Sequence, residues 1–256
     1  MAGQTHTADA RILNQRTLEK DHKRLAALLR PGVSVLDIGC GTGAITAGIA
    51  RVAARVVGVD RDAALIAEAR ASHTAENLTF IVGDLLEFEI EERFDIVNAA
   101  RVLQWISDPR TAVRRMAQLA KPRGMVIALD YNHRENCLVP QPPQEFVRFY
   151  RAFLRWREGH GWDNRMGHNL PTLFGAAGLR WVASTVEDEV TETSLWPYVL
   201  ESIGPQMVTE GAISEEERRE AMEAMREYCA TELHTQIMAL RAVVGYRTGS
   251  RPRVKL

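Results

Sequence analysis

The strongest indication of the fold is the stretch VSVLDIGCGTG at residues 33–43. Its first six residues are mostly apolar and rich in β-branched side chains, which predicts a buried strand, and the three glycines that follow predict a tight turn. The next stretch, AITAGIARVA at residues 44–53, carries apolar side chains at helical spacing. Strand, glycine turn and helix in this order place the turn at the carboxyl end of a strand, where open α/β sheets bind their ligands.

The same alternation continues on the carboxyl side of the glycine turn. Apolar segments predict strands at 55–60, 78–84, 94–100 and 124–131, with helices at 62–73 and 109–122 between them. Strands that are apolar throughout and alternate with helices are typical of a parallel sheet covered on both faces. We therefore predict a single α/β domain over residues 1–256 with a Rossmann-like, doubly wound sheet.

The segments outside this alternating core have helical patterns. A helix at 12–30 is predicted within an N-terminal cap formed by residues 1–31, and aromatic residues at helical spacing mark an insertion at 132–169. A helix at 170–179 and a strand at 180–190 follow. Helices at 194–210 and 214–233 make 191–234 a second insertion, and a strand at 235–247 is the last element. We expect both insertions to act as helical lids.

Composition excludes several classes of protein. The chain has 256 residues, 32 Lys and Arg against 33 Asp and Glu, and 46% apolar residues. This near-neutral charge argues against a protein that binds nucleic acid through many phosphate contacts. Three widely spaced cysteines indicate reduced thiols, and neither a signal peptide nor a membrane span is evident. We expect a cytoplasmic protein without a membrane or nucleic-acid partner.

Two further carboxylates follow strands that neighbour the glycine turn. Asp60 ends the second strand and Asp84 ends the third, so both are expected at the same edge of the sheet. Asp60 suits the two hydroxyls of a ribose, although capping of the 62–73 helix is an alternative. Gly39, Gly41 and Ala44 also fit the dinucleotide pattern, but Asp37 would repel a pyrophosphate and suits an ammonium group instead.

Five segments together carry a resemblance to a known family: VLDIGCGTG, VVGVD, GDLLEF, FDIVNAARVLQWISDP and LAKPRGMVIALD, within residues 33–131. They resemble the class I S-adenosylmethionine-dependent methyltransferases. The resemblance implies a seven-stranded, mostly parallel sheet with an inserted antiparallel last strand, and methyl transfer by in-line displacement. It also implies that S-adenosylmethionine binds at Asp37, Gly39, Cys40, Gly41, Gly43, Asp60, Arg61, Gly83, Asp84, Leu85, Ala100, Arg101 and Gln104.

Candidates for catalysis follow the fourth and fifth strands. His133 and Tyr131 lie after the fifth strand, and an imidazole is suited to accept a proton near neutral pH; a solvent-facing loop histidine is the alternative. Arg101, with Gln104, is a candidate for orienting a carboxylate or carbonyl of the acceptor. No histidine has a recognised metal-ligand spacing, so we predict no metal.

The predicted acceptor is a small apolar or aromatic molecule. Aromatic side chains at helical spacing lie on one side of the first insertion, namely Phe146, Phe149, Tyr150, Phe153 and Trp156. They either belong to a core or, together with Trp196 and Tyr198, cover an acceptor site, while Gln15, Arg16 and His22 close its other side.

Three other functions remain open from the residues alone. They are an NAD(P)-dependent oxidoreductase, a catalytically silent cofactor-binding protein of the same fold, and a methyltransferase acting on protein or nucleic acid. A monomer and a homodimer are both compatible with the sequence.

Overall fold

The computed structural model describes residues 9–191, 196–230 and 234–249. The strands are β1 Ser34–Ile38, β2 Arg55–Asp60, β3 Leu78–Val82, β4 Phe94–Ala100, β5 Ala120–Tyr131, β6 Cys137–Val139, β7 Arg180–Val186, β8 Glu189–Thr191, β9 Thr235–Met238 and β10 Leu240–Tyr246. The helices are α1 Ala10–Leu13, α2 Leu18–Asp21, α3 Lys23–Leu28, α4 Ala44–Ala50, α5 Ala63–Ser72, α6 Pro109–Leu119, α7 Gln144–Gly159, α8 Met166–Ala176, α9 Trp196–Ser202, α10 Gly204–Thr209 and α11 Glu215–Ala230.

Seven strands form the central sheet in the order β3-β2-β1-β4-β5-β10-β7. The first five strands run parallel, and β10 is inserted antiparallel between β5 and β7. All five residues of β1 are buried, because helices cover both faces of the sheet. The predicted Rossmann-like fold with its inserted antiparallel strand is confirmed.

The N-terminal segment does not form the single helix predicted at 12–30. Its described part contains three short helices, α1 to α3. Thr17 is extended and caps α2 by accepting a hydrogen bond from the Lys20 amide, and His22 has φ −150° and ψ 60° between α2 and α3. Local side-chain capping therefore overrides the amphipathic period of this segment.

Two more boundaries differ from the prediction, each because the chain enters a strand. The helix predicted at 109–122 ends at Leu119, and β5 begins at Ala120. Lys121 precedes Pro122, and a residue before proline disfavours helical geometry, so the helix cannot continue to 122. The strand predicted at 235–247 is divided at Ala239. The Ala239 amide donates to Asn136 Oδ1 and its carbonyl accepts from the Asn132 amide, so the loop after β5 separates β9 from β10.

The strand predicted at 180–190 is likewise divided, into β7 and β8. A second, antiparallel sheet of order β6-β9-β8 results, which sequence patterns did not predict. Helices α7, α9, α10 and α11 form a separate core beside it. A capping box begins α11: the Ser214 amide donates to Glu217 Oε2 at 2.7 Å, and the Glu217 amide donates to Ser214 Oγ at 3.1 Å. Residues 194, 195 and 231–233 of the predicted helices lie outside the described residues.

Candidate functional site

One large cavity of about 930 Å³ lies over the carboxyl ends of β1 to β5. We name its two ends by their lining residues. The glycine-loop end includes Gly39, Gly41, Asp60, Arg61, Gly83, Asp84 and Leu85. The aromatic end includes Ala100, Arg101, Gln104, Tyr131, His133, Phe153, His160, Trp162, Glu189 and Trp196, and Arg16 of the N-terminal segment also lines the cavity.

The glycine turn is held tightly at the end of β1. The amides of Gly39 and Cys40 both donate to the Val59 carbonyl, at 2.7 and 3.1 Å. Gly39 and Gly41 have φ values of 66° and 54°, a region that side chains disfavour. A Cβ at Gly39 would overlap the Val102 side chain, and one at Gly41 would lie 2.8 Å from Leu13. The turn therefore presents bare main chain to the cavity.

Asp60 is oriented by the two turns on either side of it. Its Oδ2 accepts from the Gly41 amide at 2.8 Å and its Oδ1 from the Asp62 amide at 2.9 Å. Burial raises its pKa. The alternative interpretation of Asp60 as a helix cap is wrong, since Asp62 caps α5 by accepting from the Ala64 and Leu65 amides. Each Asp60 oxygen keeps a lone pair for a ligand.

The end of β3 supplies the next part of the wall. Asp84 Oδ1 accepts from the Leu86 amide at 2.8 Å, which fixes the carboxylate beside the cavity. Leu85 is buried, and Gly83 and the exposed Arg61 complete this side. An apolar side chain next to a carboxylate suits the face and the amine edge of a purine.

Three of the predicted cofactor residues, Asp37, Cys40 and Gly43, do not line the cavity. Asp37 is buried and accepts from Thr46 Oγ1 at 2.6 Å and from Asn98 Nδ2 at 2.7 Å, and burial raises its pKa to about 6. Cys40 packs against a small apolar cluster, where burial raises the pKa of its thiol well above the usual value, and Gly43 precedes α4.

The Asp37 cluster continues into the N-terminal segment. Asn98 donates to Asp37, so its Oδ1 faces His22 Nε2 at 2.8 Å. Burial lowers the pKa of His22 to about 3. Asp37 thus connects β1, β4 and the N-terminal segment; this contact was not apparent from the sequence, because Asn98 and His22 are 76 residues apart.

Arg101 has φ 62°, and its side chain joins four parts of the chain at the aromatic end. Its Nε donates to the Tyr131 hydroxyl at 2.9 Å, one terminal nitrogen donates to the Asp21 carbonyl at 3.1 Å, and the other is paired with Glu189. Glu189 carried no sequence signal, because it lies in a short strand of the unpredicted sheet.

His133 is buried, so the interpretation of a solvent-facing loop histidine is wrong. Its Nε2 lies 2.5 Å from Gln104 Oε1, and its Nδ1 lies 3.3 Å from Asn136 Nδ2. Burial lowers its pKa well below the usual value. Tyr131 is half-buried, and desolvation raises its pKa.

Arg157 is fully buried next to the aromatic end of the cavity, and the sequence patterns did not predict it as part of the site. It donates to Asn164 Oδ1 at 2.8 Å and to the Gln104 carbonyl at 3.0 Å, and its guanidinium lies 4.1 Å from the Trp105 ring centroid. Burial lowers its pKa to about 10. No carboxylate in the described part of the chain forms an ion pair with it.

The aromatic side chains on one side of α7 are divided between a core and the cavity. Phe153 lines the cavity together with Trp196, whereas Phe146, Phe149, Tyr150 and Trp156 pack in the core of the helices α7 and α9 to α11. Tyr198 stacks on Arg11 instead, at 4.7 Å.

The described ranges contain neither a candidate metal centre nor a membrane-spanning helix. Within residues 9–191, 196–230 and 234–249, no group of three or more His, Cys, Asp or Glu side chains is arranged to hold a metal ion. None of the helices described for this chain is both long and apolar enough to cross a bilayer.

The fold and the cavity define a doubly wound α/β protein with its ligand site at the carboxyl ends of the parallel strands. A family model described as a methyltransferase domain matches residues 29–153. This match supports the predicted resemblance to the class I S-adenosylmethionine-dependent methyltransferases.

The chain is similar to a ubiquinone biosynthesis O-methyltransferase of Rhodopseudomonas palustris, with 32% identity over 153 residues that cover 58% of this chain and 57% of the relative. It is also similar to a trans-aconitate 2-methyltransferase of Deinococcus radiodurans, with 32% identity over 52% of each chain. This chain thus spans little more than half the length of these relatives. A solved structure of a putative methyltransferase from Bacillus halodurans has 17% identity and a TM-score of 0.58, covering 89% of this chain and 97% of that one; it shows the fold.

Proposed function

We propose that this protein is an enzyme that transfers a methyl group from S-adenosylmethionine to a small organic acceptor by in-line displacement. The observation that carries the proposal is the continuity of the cavity, in which one space of about 930 Å³ joins the glycine-loop end to the aromatic end. A methyl donor and an acceptor must meet without intervening solvent, and one continuous cavity allows this.

The residues at the glycine-loop end fit the cofactor. The Gly39 and Gly41 main chain lines the cavity where the methionine part would lie, and Asp60 keeps lone pairs for the ribose hydroxyls. Asp84 and Leu85 offer a carboxylate and an apolar surface to the adenine. The bound cofactor supplies a methyl group on a sulfonium, an electrophile that needs alignment more than activation.

The aromatic end fits a small acceptor. Phe153, Trp162 and Trp196 supply apolar surface, while Arg101 and Tyr131 supply polar groups close to the ends of β4 and β5. Sites for small molecules commonly combine a mostly apolar wall with few polar anchors. The names of the two relatives refer to different acceptors, so they do not select one for this chain.

We also propose that the protein is cytoplasmic and is a monomer or a homodimer. We propose that it binds no nucleic acid, in keeping with 32 basic against 33 acidic residues. Sedimentation of the full chain measures the state of assembly, and a species larger than a dimer would contradict this part of the proposal.

Calorimetry on the full chain tests the cofactor directly. We expect heat of binding with S-adenosylhomocysteine and none with NAD⁺ or NADP⁺ at the same concentrations. Heat with NAD⁺ alone would support the oxidoreductase instead. Turnover with tritiated S-adenosylmethionine and a broad set of small acceptors then separates an enzyme from a silent binding protein.

A further inference from the structure

We infer that the methyl acceptor is a carboxylic acid on an apolar body and that its carboxylate oxygen takes the methyl group, giving a methyl ester. This inference rests on the proposed function and names its substrate class. Two sets of contacts carry it: the side chains that could remove a proton from an acceptor are already engaged, and the aromatic end holds more cations than anions.

The imidazole of His133 is engaged at both nitrogens. Arg157 donates to Gln104 Oε1 at 3.2 Å, and since arginine can only donate, the atom that faces His133 is an acceptor. His133 therefore carries its proton on Nε2, which donates to Gln104 at 2.5 Å. The remaining lone pair on Nδ1 faces the Asn136 amide nitrogen at 3.3 Å, so His133 has no lone pair directed into the cavity.

His160, the other histidine among the described lining residues, also has a partner at each ring nitrogen. Its Nδ1 lies 2.9 Å from the Trp156 carbonyl and must carry a proton, and its Nε2 lies 3.1 Å from Glu210. Glu189 is paired with Arg101. An acceptor at this end must therefore reach the cofactor already ionised or as a neutral lone pair.

The charges at the aromatic end favour the ionised form. Among the described lining residues, Arg16 and Arg101 lie there against the carboxylate of Glu189, and Asp9 of the N-terminal segment, which also lines the cavity, is paired with Arg11. In the described part of the chain, the Arg16 side chain makes no hydrogen bond or ion pair, although it is partly buried. Burial, and then the neighbouring Arg101, lower the pKa of Arg16. A partly buried arginine with no protein partner gains stability when an anionic ligand binds beside it.

The Tyr131 hydroxyl supplies a donor at the same place. It accepts from Arg101 Nε at 2.9 Å, and burial raises its pKa, so the hydroxyl stays protonated. Across the described residues, no acceptor receives this proton. A hydroxyl that accepts from the protein and still has a proton to donate is suited to an anionic oxygen.

The rest of the aromatic end determines the body of the acceptor. The side chains of Phe153, Trp162 and Trp196 are nearly fully buried and still line the cavity. They suit an alkyl chain or an aromatic ring attached to the carboxylate.

The reaction balances without a base. The carboxylate oxygen forms a bond to the methyl carbon while the bond between that carbon and sulfur breaks, and the bonding electrons stay on sulfur. The products are a neutral thioether and a methyl ester, and no proton moves. Arg16 and Tyr131 align the carboxylate before transfer.

The test uses the full chain with tritiated S-adenosylmethionine and matched sets of acceptors. The acids are the linear C6 to C12 fatty acids, phenylacetate, trans-cinnamate and indole-3-acetate, each with its primary amide and its alcohol; matching phenols are included. We expect label in a base-labile product, released as methanol, from acids only. The inference would be overturned by base-stable labelled product from phenols. It would also be overturned if the protein binds S-adenosylhomocysteine but labels none of the acids. A protein that does not bind S-adenosylhomocysteine would instead contradict the proposed function.

The pH dependence gives an independent measurement. Free carboxylic acids are ionised above about pH 5, so we expect kcat/KM to be flat from about pH 6 to 9. A phenol methylated without a base would instead show a rate that rises through this range, because the ionised fraction increases.

Two variants locate the site by binding rather than by turnover. Arg16→Met is expected to weaken binding of the active acid about 10- to 100-fold at saturating S-adenosylhomocysteine. Lys20→Met, which removes an exposed cation on α2, is the matched control and is expected to change nothing. A loss confined to S-adenosylhomocysteine binding in Arg16→Met would assign this arginine to the cofactor and overturn its role toward the acceptor.

Discussion

His133 and Gln104 share a short hydrogen bond of 2.5 Å, in which the imidazole is the donor. Gln104 is itself fixed by Arg157, which donates to both its carbonyl and its side-chain oxygen. The histidine that was a candidate base from its position after the fifth strand is therefore part of a buried polar network that connects the end of β5 with α7.

We expect His133→Ala to reduce stability far more than catalysis. Removing the ring takes one hydrogen-bond partner from each of Gln104 and Asn136 and opens a void, at a cost of about 2–4 kcal/mol in the free energy of unfolding. Urea denaturation measures this loss. With the preferred acceptor, kcat should stay within about tenfold, whereas loss of a general base reduces rates about 10²- to 10⁴-fold. A folded variant with kcat reduced a thousandfold would return His133 to the mechanism.

Asp60→Asn should weaken the binding of S-adenosylhomocysteine. The carboxamide places an N–H against the amide of Gly41 or of Asp62, and a charged hydrogen-bond partner of the ligand is lost. We expect a 10- to 100-fold increase in Kd, roughly, by calorimetry. Asp95→Asn is the control, because Asp95 lies at the opposite end of β4 and contacts Ser34 and Lys121; an equal loss there would indicate general damage to the sheet.

Gly39→Ala is expected to disrupt the glycine turn. The added methyl would overlap Val102, and φ 66° is unfavourable for alanine, so the variant should lose about 2 kcal/mol or more of stability together with cofactor binding. Thermal melting and calorimetry measure the two effects. The double variant with Val102→Ala should recover part of the stability, since the overlap is relieved while the backbone strain stays. No difference between the single and double variants would contradict the packing argument.

Asp37 should impose a specific pH dependence on stability. Burial raises its pKa to about 6 from a usual value of 3.8, so ionisation costs more in the folded than in the unfolded chain. As the pH rises from about 3 to 7, the stability of the wild type relative to Asp37→Asn should fall by about 3 kcal/mol. Denaturation at a series of pH values tests this, and a difference that is constant with pH would show that the carboxyl titrates normally.

Arg157→Lys should be nearly as harmful as Arg157→Met. The guanidinium contacts Asn164 and Gln104 at once and lies over the Trp105 ring, a geometry that an ammonium cannot reproduce. We expect each variant to lose about 2–4 kcal/mol in urea denaturation. Full stability of the lysine variant would show that charge alone is required at this position.

The central fold could be predicted from the sequence because its signals are local. The segment 33–43 specifies strand and turn within eleven adjacent residues, and apolar strands alternating with helices imply a parallel sheet. Asp60 and Asp84 could be assigned to one edge of this sheet because the carboxyl ends of parallel strands share an edge. The cofactor end of the candidate site therefore followed from strand order and spacing.

Local patterns were thus sufficient to predict the Rossmann-like sheet, the glycine turn and two carboxylates at its edge. The folded chain was needed to show that Asp37 accepts hydrogen bonds from Thr46 and Asn98, that His133 donates to Gln104, and that Glu189 pairs with Arg101 from 88 residues away. The physical reason is that a side chain's partners depend on which distant segments pack against it. Periodicity reports only which face of a helix or strand is buried, and it carries no information about the partner.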